Sequence, residues 1–160
     1  MSRKRSLYNF LIGGLLLALL VGCGSGSDES PEVNFTRLDC PAVASHTSYT
    51  EPYFDVLTDP HAYRERYLAT DLNAQDEAPE VNFETHRVVV LHAGVKSSSG
   101  HSIDVINIED RGEKLQVNYR EGEPQTCGAD GALTYPYCFI AIEASDTPVE
   151  FSGEVVNSCD

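Results

Sequence analysis

The chain has no tryptophan, one methionine, and only 11 lysines and arginines against 25 acidic residues. All 25 acidic residues lie after Cys23, where eight basic ones remain, so the net charge beyond that point is −17. A surface of that sign repels nucleic-acid phosphates and anionic headgroups, which excludes nucleic acid as a partner and membrane attachment by charge. The rest of the acidic excess reads as a solvated surface. The spacings that carry chemistry are also missing. There is no C-x-x-C pair to build a zinc site and no H-E-x-x-H helix motif. There is no G-x-S-x-G elbow, and Ser97, Ser98 and Ser99 beside His101 are neighbours in one loop, an arrangement that rarely reaches triad geometry. The loop from Gly94 to Gly100 lacks the following helix that phosphate binding requires. His46 and His61 lie apart from the other histidines. His86 and His92 would share a strand face but stand roughly 20 Å apart, too far to chelate one ion. The expectation is a protein with no catalytic residues, no metal and no cofactor.

Long apolar runs are scarce too, and the only one lies at the start. Met1 to Arg5 is basic, residues 7–21 are apolar, and Gly22 precedes Cys23. The run is too short and wrongly flanked for a transmembrane helix and reads as an export signal over residues 1–22. Its end resembles a bacterial lipobox, which implies diacylglycerylation of Cys23, cleavage before it and acylation of the new N-terminus. Several acyl chains hold stably where one is marginal. Gly24 in place of aspartate points to the outer membrane if the cell has two. Residues 23–35 begin with a Gly/Ser run and read as a flexible tether. Residues 36–160 form one domain by size.

Cys40, Cys127, Cys138 and Cys159 are an even set in an oxidising compartment and read as two disulfides. Three pairings are open. The expectation is Cys127–Cys138, worth roughly 3 kcal/mol by loop closure, and Cys40–Cys159, worth roughly 5 kcal/mol on the same scale.

The pentapeptide at Pro31 recurs at Pro79 without extending further, so it marks local turns, not a repeat architecture. Residues 48–50 and 54–57 read as short strands. Asp59 as N-cap and Pro60 at the first helical position open a helix over 59–69, with Tyr63, Tyr67 and Leu68 on its apolar face. Four consecutive apolar residues from Val88 place strand 87–93 centrally, buried on both faces. A small-residue loop, 94–101, leads to strand 102–108, whose alternation breaks at Val105-Ile106 as a bulge would. After a turn at 110–113, strand 114–120 alternates cleanly with Leu115, Val117 and Tyr119 inward. A polar loop, 121–131, holds Pro124. Strand 133–142 follows; Pro136 confines its start to an edge, bulge or turn. Residues 147–151 read as a final edge strand.

The order of these pieces resembles the PrcB C-terminal domain of exported and lipid-anchored bacterial proteins. The resemblance spans about residues 81–142 and is carried by Gly94, Lys96, Gly100 and the run Ala132 to Tyr137 (A-L-T-Y-P-Y). The family takes its name from an accessory lipoprotein that stabilises a surface protease complex. The resemblance therefore implies a non-catalytic, protein-binding role. One departure stands out: the family's loop tends to end T-G-G-Y, whereas this chain has Ser98-Ser99-Gly100-His101, so the role of that ring is not carried over.

The expected fold is α+β and mainly β: a small antiparallel, sandwich-like domain with one packed helix, stapled by disulfides. The expected function is a non-enzymatic envelope lipoprotein, anchored to the membrane by its N-terminal lipid, that binds and stabilises an exported protein. The alternatives are a β-domain that inhibits a protease, or a structural lipoprotein without a discrete partner. The partner-binding candidates are Lys96, Ser99, Gly100, His101, Pro124, Tyr135 and Pro136, on three loops. The plainer reading of loop 94–101 is a connection whose glycines only supply positive φ.

Overall fold

The computed structural model describes residues 30–41, 47–70, 77–125 and 130–159. The export signal, Cys23, His46 and Cys127 lie outside the described residues, and so do the expectations placed on them.

Among the described residues, seven strands and one helix follow in order: β1 Phe35–Asp39, β2 Tyr53–Leu57, α1 Pro60–Thr70, β3 His86–His92, β4 Ser102–Asp110, β5 Leu115–Glu123, β6 Tyr137–Glu143 and β7 Val149–Asn157. They make a four-stranded sheet, β1-β6-β3-β2, and a three-stranded sheet, β4-β5-β7. The chain is mainly β, a sandwich with one helix and a disulfide.

The interior strands β3 and β6 organise the molecule. Their register pairs Val89 with Ile140 and Leu91 with Cys138 on one face, and Val88 with Ala141 and Val90 with Phe139 on the other. Every one of these side chains is buried. The first face packs on Ile103, Val105, Ile108, Leu115 and Val117 of the second sheet. The second packs on Tyr63 and Tyr67 of α1. The four-stranded sheet is thus the middle layer, which is why β3 reads as an unbroken apolar run. Each large apolar side chain so buried contributes about 1.5–3 kcal/mol.

The helix forms as its sequence suggests: the Ala62 N–H donates to Asp59 Oδ1 at 2.8 Å, and Tyr63 and Tyr67 face the sheet. The Tyr63 hydroxyl donates to Pro79 O at 3.1 Å, and burial, with Asp39 nearby, pushes its pKa up to about 12. His61 is exposed beside Glu65. Asn82 turns the chain into β3, its carbonyl accepting from the Thr85 and His86 N–H groups. The β4–β5 register shifts between Val105 and Asn107, where a bulge is expected. Pro136 ends just before β6, and its carbonyl accepts from the Ala93 N–H at 2.9 Å, outside the ladder.

Four details depart from expectation. The disulfide that the described residues define is Cys40–Cys138, which replaces both expected pairings. After a shift in the β1 ladder, Asp39 pairs with Phe139, and this puts the next residue, Cys40, opposite Cys138. Cys159 is also disulfide-bonded. The folded region begins before residue 36: the Val33 N–H donates to Ile108 O, and Phe35 is already in β1. Residues 48–50 are not a strand; the Ser48 N–H donates to Ala69 O instead. Finally, β7 runs parallel to β5, since the chain crosses to the other sheet as β6 before returning.

Candidate functional site

The seven loop candidates meet at one end of the sandwich. Lys96 and Thr134 exchange backbone hydrogen bonds at 2.8 and 3.0 Å, which lays the loop after β3 against the segment before β6. The Thr134 hydroxyl, buried, donates to Ser98 O at 2.9 Å. The Ser99 N–H donates to Asp130 O, and Ser99 Oγ accepts from the Asp130 N–H at 3.0 Å. Gly100, at φ +86°, sits so close to Pro124 that a Cβ would stand 3.2 Å from the proline Cβ. Tyr135 packs half-buried against the helix-side core, with Pro136 buried behind it.

The lysine of this cluster is neutralised internally. Lys96 Nζ lies 3.1 Å from Glu121 Oε2, both side chains about four-fifths covered. Lys96 therefore holds the loop to β5 and does not project as an isolated cation. Leu133 is 57 % exposed, and Val95 is exposed beside the Lys96–Thr134 bridge, so the rim of this end includes apolar surface. His101 is half-buried, and its Nδ1 is buried without a hydrogen-bond partner. No hydrogen bond joins a serine of this loop to His101 among the described residues, so the loop does not assemble a hydroxyl–imidazole pair.

Gly94 fixes how the loop leaves the sheet. Its φ is +76°, and a Cβ there would stand 2.9 Å from Pro52 N. Its N–H donates to His92 Nδ1 at 3.0 Å. His92 is fully buried between the sheet and Tyr49, and burial lowers its pKa to about 4, so the ring is neutral with its proton on Nε2. His92 is a fixture of the loop's root that the sequence did not single out; a histidine ending an apolar strand run was the available signal.

Other polar groups support the frame. Asp39 Oδ2 accepts from Tyr67 at 2.8 Å and Tyr137 at 2.9 Å, joining β1, α1 and β6. Arg66 lies over Tyr53 and Tyr49, 3.9 and 5.0 Å from the ring centres. Tyr53 donates to Asp55 at 2.8 Å, and burial with that carboxylate raises its pKa. Arg87 is buried, donates to Thr147 O and Ser145 Oγ, and has its pKa lowered by desolvation. Cys40, Cys138 and Asp104 present their ligand atoms within 4.8 Å of one another, but the disulfide removes both thiolates as ligands. A groove of about 600 Å³ at the opposite end is lined by residues such as Phe35, His86, Asp110 and Glu143. It does not include the loop candidates.

No helix among the described residues is long and apolar enough to cross a membrane. No curated protein and no solved structure matches the chain. One family model does, and it covers residues 87–143. That stretch runs from β3 through the whole of β4 and β5 to the end of β6, and it supplies every loop candidate from Lys96 to Pro136. Over that stretch, about a third of the chain, the sequence is similar to the family described as PrcB C-terminal.

Proposed function

We propose that this protein is a lipid-anchored accessory module of the bacterial envelope that binds an exported protein and stabilises it, without catalysing a reaction. The observation that carries this reading is the coincidence of the family match with the loop end: residues 87–143 build the only place where the three candidate loops converge among the described residues. The family's association with a protease complex makes a protease the partner class to look for. The geometry is consistent with binding. The described parts of the loops are cross-braced by backbone hydrogen bonds and a covered Lys96–Glu121 pair, which limits the ordering those parts need on association. The apolar rim at Val95 and Leu133 offers contact area that folding leaves unused.

The anchor part rests on residues 1–23: acylation at Cys23 would hold the domain at the membrane, with the outer membrane expected in a two-membrane cell. Deleting the protein should lower the amount of one exported protein that co-purifies with it. Unchanged levels of every envelope protein would remove the accessory reading. Metabolic labelling with a palmitate analogue should mark the wild type and not Cys23→Ser; equal labelling of both would remove the anchor.

A further inference from the structure

The two sides of the sandwich are finished differently. On one side the chain stitches the sheets together. Arg37 of β1 makes a two-pronged pair with Asp104 of β4 at 3.0 and 3.1 Å, and Glu32 bridges to Glu109. On the other side β2 and β7 lie over each other, with Phe54 and Phe151 ring centres 5.4 Å apart, and neither has a strand on its outer edge among the described residues. β2 offers five residues and β7 nine. The β5–β7 register runs over all nine without a bulge, and β7 contains no lysine and no proline. Those are among the devices that blunt an exposed edge; the charges this edge does carry, Glu150 and Glu154, are both acidic. Val155 on this strand is 58 % exposed. The far end of β7 arrives at the loop cluster: the Ser158 N–H donates to Glu123 O, and Ser158 Oγ lies 4.0 Å from the position of a Cβ on Gly100.

We propose that the outer edge of β7, from Val149 to Val156, takes up an extended, basic segment of the partner as an added strand, whose continuation reaches the loop end. That the segment belongs to an exported protein rests on the accessory reading; that the edge accepts a strand does not. An added strand is held by backbone hydrogen bonds and selected by alternate side chains. Glu150, Ser152 and Glu154 share the face of β7 opposite Phe151. The two glutamate side chains remain 59 % and 56 % exposed even with Lys114 and Arg120 against them. Lysine or arginine at alternate positions of the incoming strand would sit beside them, where opposite charges across a ladder attract. A second copy of this chain is disfavoured by the same charges. Antiparallel self-pairing about Ser152 would set Glu150 against Glu154 twice, and each chain carries −17 beyond Cys23.

The test uses the full lipid-anchored chain in neutral detergent and a capped seven-residue peptide of alternating lysine and valine. Amide hydrogen exchange should slow along β7 and not along β1. The same peptide with every amide N-methylated keeps its charge but cannot donate to a ladder; it should bind at least about tenfold more weakly. Glu150→Gln with Glu154→Gln should weaken the unmodified peptide about tenfold. Equal binding of the methylated peptide, or protection away from β7, overturns the proposal. If the natural partner is bound and β7 takes no peptide, the edge inference fails alone. If β7 takes the peptide but no exported protein depends on the chain, the accessory reading fails alone.

Discussion

Cys40, one residue past the end of β1, is joined to Cys138 of β6 by a disulfide between residues 98 apart in sequence. The bond ties the N-terminal edge strand to β6, which enters the core directly after the segment from Ala132 to Pro136. Peptide mapping without reduction should recover Cys40 linked to Cys138. Replacing both by alanine should cost about 2–5 kcal/mol in chemical denaturation, the range for a disulfide closing a loop of this size. A Cys127–Cys138 peptide would contradict the β1 register.

His92 should make stability fall in acid. Its folded pKa, near 4, is below the ordinary 6.5, so its contribution is complete above pH 6.5 and is lost as pH falls towards 4. The loss attributable to this ring is about 3 kcal/mol across that window. Asparagine can keep an acceptor for the Gly94 N–H but does not titrate. The difference in unfolding free energy between wild type and His92→Asn should therefore shrink steadily from pH 7 to pH 4. A constant difference would mean that His92 does not titrate as a buried neutral ring.

Gly94 and Gly112 both have positive φ, but in different surroundings. A Cβ at Gly94 meets Pro52 and Thr50, whereas at Gly112 nothing lies within 4 Å. Gly112→Ala should cost about 1–2 kcal/mol, from the left-handed backbone alone. Gly94→Ala should cost about 2–4 kcal/mol, since the crowding adds to it. Thermal denaturation of the two variants side by side decides this; equal losses would mean that the loop root adjusts freely.

Asp39 accepts two phenolic hydroxyls, from Tyr67 and Tyr137. Asp39→Ala should destabilise by about 2–3 kcal/mol, because both hydroxyls lose this acceptor in a covered place. Asp39→Asn, which keeps one acceptor oxygen, should cost less. The same loss from both would show that a neutral acceptor oxygen does not replace the carboxylate.

The parts legible in the sequence are those governed by local pattern. The run from Val88 could only be a strand buried on both faces, and Asp59-Pro60 starts a helix by its own chemistry. The slip at Val105-Ile106 showed as a break in alternation and is a bulge. β1 was not legible: Phe35-Thr36-Arg37-Leu38-Asp39 alternates weakly, and its strand character comes from pairing with β6 about a hundred residues later. The cysteine pairing failed for the same reason, since it depends on that register. The parallel placement of β7 follows from the route of β6 through the other sheet, which no local pattern records. At the loop end, glycine, serine and proline marked each loop separately. Their convergence depends on the Lys96–Thr134 bridge and on Gly100 against Pro124, both contacts between distant segments.

The most direct test of the accessory role is site-specific photo-crosslinking in the native cell. A photoreactive amino acid is placed at Ser97, exposed at the loop end, and separately at Glu113, exposed in the β4–β5 turn at the other end. Ser97 should crosslink to one exported protein, the same one whose level falls when this chain is deleted, and Glu113 should not. Crosslinking from Glu113 but not Ser97, or a Ser97 product whose level is indifferent to the deletion, would contradict the account.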